Sequence, residues 1–175
     1  CDVVYTGGRA LTFDLPGTLQ VLMDAEAWTA LDVRPDRHQP LWNAADAWTE
    51  LPAPQDGVVH WIRVKRAQVG QALHGRVSDD KGRMRRDIIW VIETESAHAM
   101  VDLRTTVLAL DELDCGAPVV LRRTWQGLDD ERLALQAATD LGGPMIDGLG
   151  DGLWVDAQQT ALSKRNTMSF GILQA

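Results

Sequence analysis

Cysteine is scarce in this 175-residue chain: Cys1 and Cys115 are the two, and they form no CxxC pair. Paired-cysteine zinc motifs are therefore excluded. A Cys1–Cys115 disulfide is allowed by arithmetic alone. With no basic-then-apolar leader in the sequence, reduced thiols in the cytoplasm are the expectation. The four histidines, His38, His60, His74 and His98, are scattered without metal-ligand spacing. No run approaches the roughly 18 consecutive apolar residues that a membrane-spanning helix needs. Basic residues are outnumbered, 17 against 25, and the net charge of −8 argues against nucleic-acid binding. There is no Gly-x-x-x-x-Gly-Lys loop, and no strand leading through Gly-x-Gly-x-x-Gly into a helix. Ser96, Ser163 and Ser169 have no general base close by in sequence.

What is present is the composition of a globular domain: 45% hydrophobic and 24% charged residues. The length predicts one domain over residues 1–175, able to bury roughly 70% of its unfolded surface. Charge is unevenly spread. Residues 1–57 carry nine acidic and three basic groups, residues 58–86 eight basic and two acidic, and residues 87–175 fourteen acidic and six basic. The basic island (Arg63, Lys65, Arg66, Arg76, Lys81, Arg83, Arg85, Arg86) reads either as a solvated helix and loop or as a docking face for an acidic neighbour.

The first 57 residues read as an irregular N-terminal part. Residues 2–6 and 18–23 have strand character, and residues 24–30 suit a short helix carrying Trp28. Pro35, Pro40, Pro52 and Pro54 then fall close together around Trp42 and Trp48, and proline denies a donor to helix and sheet alike. Such a long connection predicts a packed cover with buried indoles, or else a ligand-stacking surface. From Val58 the pattern becomes regular. Strands are expected at 58–64, 87–93 and 118–121, with helices at 67–73, from a Ser96 cap to an end at Gly116 with Met100, Leu103, Val107 and Leu110 on one face, and from Asp129 to Leu141. The unbroken apolar run Ile88–Ile92 fits a strand covered on both faces. Alternation of this kind indicates parallel βα units. With strands at 144–146 and 153–155 around a glycine turn, five consecutive strands are expected from Val58 onward. The fold class is α/β, a partial or degenerate (β/α) TIM-like barrel of parallel strands, with a flavodoxin-like doubly wound sheet as the alternative. A complete eight-fold barrel needs about 250 residues.

Two places can carry chemistry. The turn Gly148-Leu149-Gly150-Asp151-Gly152 reads either as a plain turn between two neighbouring strands or as bunched backbone N–H groups that can hold an anion. The strand ends place Arg63, Lys65, Glu93, Glu95, Arg122, Arg123, Asp147 and Asp151 on one expected rim, either an active site or a salt-linked border. Gly148, Gly150, Asp151, Arg122 and Glu93 form the candidate anion or rim site. No catalytic, cofactor-binding or metal-ligating residue is assigned.

The segment DGLGDGLWV (147–155), followed by NTMSFGILQ (166–174), resembles 4-hydroxy-3-methylbut-2-enyl diphosphate synthase in its three-domain form. The likeness extends upstream through APVVLRR (117–123) and the helix from Asp129, and is faint before Asp87. It implies the domain inserted between an N-terminal (β/α)8 barrel and a C-terminal iron–sulfur domain, a worn copy of the barrel. In that family a [4Fe-4S] cluster, held by three cysteines and a glutamate of the C-terminal domain, serves reduction of a cyclic diphosphate in isoprenoid synthesis. The implied partners are those neighbouring domains and an electron donor, ferredoxin or flavodoxin. The implied role is a spacer without catalytic residues or cofactor of its own. An anion-binding module, or a small independent enzyme using Glu93, Asp147 and Arg122, is the alternative. The chain opens inside an expected strand and stops inside an expected helix, which predicts a piece of a longer protein.

Overall fold

A computed structural model describes residues 2–71, 85–112 and 116–174. Cys1, Cys115, His74 and the island residues Arg76, Lys81 and Arg83 lie outside them. Among the described residues seven strands follow the chain in order: β1 (Val3–Gly7), β2 (Gln20–Asp24), β3 (His38–Asn43), β4 (His60–Val64), β5 (Ile88–Glu93), β6 (Val119–Thr124) and β7 (Gly152–Asp156). Each pairs in parallel with the next, and the spatial order equals the sequence order. This is the progression of a barrel, and it excludes the doubly wound alternative, whose strand order reverses. The sheet curls into a half-barrel, and Tyr5 of β1 meets Trp154 of β7 with ring centroids 5.0 Å apart.

Strand periodicity divides the core in two. On the convex face Trp42, Ile62, Val64, Trp90, Ile92, Leu121 and Val155 are buried. They are covered by α2 (Ala44–Glu50), α3 (Ala99–Asp111) and α4 (Asp130–Ala137). The inward residues of α3 and α4 are Leu103, Val107, Leu110, Leu133 and Ala137, mostly the expected three-and-four spacing. Asp129 caps α4 as its sequence suggested, accepting from the Arg132 amide at 2.8 Å. Ser96 does not cap α3 itself. It accepts from the amide of His98, the residue before the helix. On the concave face Leu22, Leu41, Trp61 and Val91 form a second cluster, flanked by Val3, Val59, Ile89, Val120 and Trp154.

Three expectations change. The irregular N-terminal part supplies β1 to β3, together with α1 (Ala25–Thr29) and α2. Pro40 sits inside β3 because pairing with β4 begins only at Leu41 and Trp61. Just before that point the buried Gln39 side chain stands in for the ladder, accepting from Val59 N at 2.7 Å and donating to Gly57 O at 3.1 Å. Trp42 is buried, but within strand β3 of the sheet rather than under an irregular cover, and the side chain of Trp48 lies outside what the structure describes.

The helix expected at 67–73 is a 3-10 turn over Arg66–Gln71. The strand expected at 144–146 is helical. A π-turn at Ala138–Gly142 carries α4 into α5 (Gly143–Ile146), with Pro144 in its first turn. The widened turn accommodates a proline that lacks the N–H and crowds the carbonyl four residues back. Among the described residues four strands, not five, therefore follow Val58. The last helix, α6 (Leu162–Leu173), packs Met168 and Ile172 against the convex core. Among the described residues no helix is long and apolar enough to cross a membrane.

Candidate functional site

The register fixes which side chains enter the barrel. Asn43 pairs with Arg63, Arg63 with Val91, Glu93 with Arg122, and Arg122 with Trp154. Because side chains alternate, Asp24, Asn43, Arg63, Glu93, Arg122 and Asp156 share the concave face and stand at its C-terminal mouth. Barrel enzymes carry their active sites at this end.

Arg122 organises one half of the mouth. Its Nη1 donates to Glu93 Oε2 at 2.5 Å and its Nη2 to Asp156 Oδ2 at 2.9 Å. Its guanidinium carbon lies 4.6 Å from the Trp154 ring centroid. Thr124 donates to the same Asp156 oxygen at 3.3 Å. In the other half the Tyr5 hydroxyl donates to Asp24 Oδ1 at 2.7 Å, and Arg63 donates to Asn43 Oδ1 at 2.8 Å. Burial pushes the Tyr5 phenol above its usual value. Asp24 adds to this through its hydrogen bond and charge, and Arg63 and Arg122 oppose it. A cleft of about 520 Å³ opens beside Arg122, lined by Glu93, Thr94, Glu95, Arg122, Arg123, Thr124 and Gln126.

The expected common rim divides. Glu93 and Arg122 come together at the mouth. Gly148, Gly150 and Asp151 lie at the opposite end, where β7 begins. Gly148, at φ +74°, closes α5: its amide donates to Met145 O, and the Leu149 amide to Pro144 O, both at 2.9 Å. This is the double bond of a Schellman cap. The Asp151 amide donates to Val119 O and its carboxylate accepts from Val119 N. The turn amides of Gly148, Leu149 and Asp151 thus already have carbonyl partners. Asp147 pairs with Arg104. Lys65 and Glu95 pair with each other on the exposed border at 2.8 Å. Arg123 faces outward, 3.2 Å from Asp140, and donates to Ser96 O. Of the described island residues, Arg85 is buried against Asp87 and Pro52 O rather than on a docking face.

Tyr5, Asp24, Asn43 and Asp156 were not among the expected site residues. A signal for three of them was present: the apolar runs VLMD, LWN and LWVD each end on a polar residue, as WIR, WVIE and VVLR do. Strand ends read in this way, with period-2 alternation, give the whole mouth.

Fold and site together define an α/β partial barrel with a charged C-terminal mouth. By sequence the chain is similar to curated proteins named 4-hydroxy-3-methylbut-2-en-1-yl diphosphate synthase (flavodoxin). The Porphyromonas gingivalis protein is 33% identical over 89 residues, covering 51% of this chain and 15% of that protein. The Parabacteroides distasonis protein is 28% identical over 174 residues, covering 99% of this chain and 26% of that protein. The Protochlamydia amoebophila protein is 29% identical over 111 residues, covering 61% of this chain and 17% of that protein. The chain is thus a distant relative of these synthases and spans about a quarter of their length at most. No protein-family model and no solved structure matches it.

Proposed function

We propose that the chain is a non-catalytic inserted domain of a synthase of this kind, a spacer that sets the distance between a catalytic barrel and an iron–sulfur domain. The alignment of 99% of the chain with 26% of the Parabacteroides protein supports this reading, because the whole fold then corresponds to about a quarter of a much larger relative. The mouth is consistent with it: Arg122, central to any barrel chemistry there, is held by two carboxylates.

The residues do not fit the [4Fe-4S] cluster of the family. A site of three cysteines and a glutamate cannot be drawn from two cysteines. Among the described residues no group of three His, Cys, Asp or Glu side chains is placed to hold a metal. In this reading the cluster, and the flavodoxin or ferredoxin that feeds it, belong to other parts of the parent. Iron analysis and a turnover assay with the cyclic diphosphate and reduced flavodoxin test the proposal. The purified chain should be iron-free and inactive; stoichiometric iron, or turnover, overturns it.

A further inference from the structure

The two arginines inside the mouth are in unlike states. Arg122 is matched by Glu93 and Asp156. Arg63 has no carboxylate partner among the described residues. It gives one N–H to Asn43 Oδ1; its Nε is buried without a partner, as is that of Arg122, so the missing carboxylate is what sets Arg63 apart. A guanidinium carries five donors in a planar fork and no acceptor, and removing such a charge from water without a counter-charge is costly. Two positions inward on the same strand face, the indole Nε1 of Trp61 is also buried without a partner, in a residue only 8% exposed. The other cations near this end are matched, Lys65 by Glu95 and Arg123 by Asp140. Unsatisfied donors on one face, around one uncompensated positive charge, describe their missing partner: a small group with acceptor oxygens and negative charge.

We propose that the mouth of the half-barrel binds a small oxyanion on the Arg63 guanidinium, with the Trp61 indole N–H as a further donor on the inner side. A phosphate ester and a small carboxylate share this chemistry. The half-buried position of Arg63 leaves the group reachable while reducing competition from water. The site does not depend on the spacer reading, since a domain without catalytic residues can still hold a ligand.

The experiment is a titration of the whole chain with inorganic phosphate and, separately, succinate. Both are held at constant ionic strength with chloride and followed through the arginine Nε–H resonances. The Arg63 resonance should move saturably with one of the two anions, which also identifies the source of the oxyanion, while that of Arg122 moves far less. In Arg63→Gln the affinity should fall about tenfold or more, the loss of a charge-assisted hydrogen bond. Arg66→Gln, on the 3-10 turn outside the mouth, should leave it unchanged. No saturable shift with either anion, or equal affinity in Arg63→Gln, overturns the proposal. Should Arg63→Gln fail to fold, the titration of the unsubstituted chain still decides.

Discussion

Trp42 donates its indole N–H to Nδ1 of His60 across 3.1 Å. An indole nitrogen only donates, so Nδ1 is the bare nitrogen and the imidazole proton sits on Nε2, 3.9 Å from Asp87 Oδ2. His60 is fully buried in the convex core, with Trp28 edge-on at 6.4 Å. Burial, helped by the charge of Arg85 and opposed by Asp87, lowers its pKa from 6.5 to about 4. The folded protein therefore holds a neutral histidine under conditions where the unfolded chain begins to protonate.

That difference sets a pH dependence. Below pH 6.5 the unfolded chain binds a proton that native His60 refuses until about pH 4. Stability from this group is complete above 6.5 and falls as the pH drops toward 4, by about 3 kcal/mol at the limit. Asp87 acts in a more acidic window. Burial raises its pKa, but the hydrogen bonds and charge of Arg85 outweigh this and hold it below the usual carboxylate range. Urea unfolding of the wild type and His60→Gln at pH 7.0 and about pH 4.5 isolates the histidine. The gap between the two proteins should narrow at the lower pH. A constant gap would show that His60 does not titrate differently on folding.

Arg122→Met removes the charge that separates Glu93 from Asp156 and leaves two half-buried carboxylates facing each other. We expect a loss of about 2 kcal/mol at pH 7, less than for a fully buried pair because the carboxylates retain some solvent. Asp156→Asn in the Arg122→Met background should recover part of it. Denaturant titrations of the three proteins check this, and an Arg122→Met protein as stable as the wild type would remove Arg122 as the organiser of the mouth.

The barrel class was legible because β4 to β6 announce themselves as continuous apolar runs separated by helix-length segments. β3 was not. Pro40 and the surrounding prolines are local signals against a strand, and what overrides them is tertiary: a neighbour on each side and the Gln39 amide filling the ladder. The Pro144–Ile146 segment failed for the opposite reason. Its short apolar run after two glycines fits a strand as well as a helix turn, and nothing local reveals a π-turn that carries the preceding helix onward. For the site, Arg122 and Glu93 were found from strand ends. Asp24 ends the legible apolar run VLMD, whereas Tyr5 required knowing that β1 pairs with β2.

The glycine turn makes a paired prediction. Gly148 needs its left-handed φ of +74°, with open space where a Cβ would go. Gly148→Ala should therefore cost about 1 kcal/mol of backbone strain and little else. At Gly150 the φ is unexceptional, but a Cβ would lie 2.9 Å from Met145 Sδ and 3.2 Å from Leu121 Cγ. Gly150→Ala must displace the Met145 and Leu121 side chains, and overpacking of this kind costs about 1–3 kcal/mol. Adding Met145→Ala should relieve the second substitution and not the first, read as the change in unfolding midpoint.

The last prediction concerns the open edge. β1 and β7 share no backbone pairing, yet Tyr5 and Trp154 touch at a 56° interplanar angle, with the Tyr5 hydroxyl tied to Asp24 and Arg122 over the Trp154 ring. Side chains thus join the two edges of the curled sheet where an eighth strand would close a complete barrel. A double-mutant cycle with Tyr5→Leu and Trp154→Leu measures that link. The coupling should be about 0.5–1.5 kcal/mol, the range for aromatic pairs. Tyr5→Phe keeps the ring and loses the bond to Asp24, so it should retain most of the coupling to Trp154 while costing about 1 kcal/mol itself. Additive single effects would mean that the curl is held by strand twist and the concave core alone, with the two edges independent.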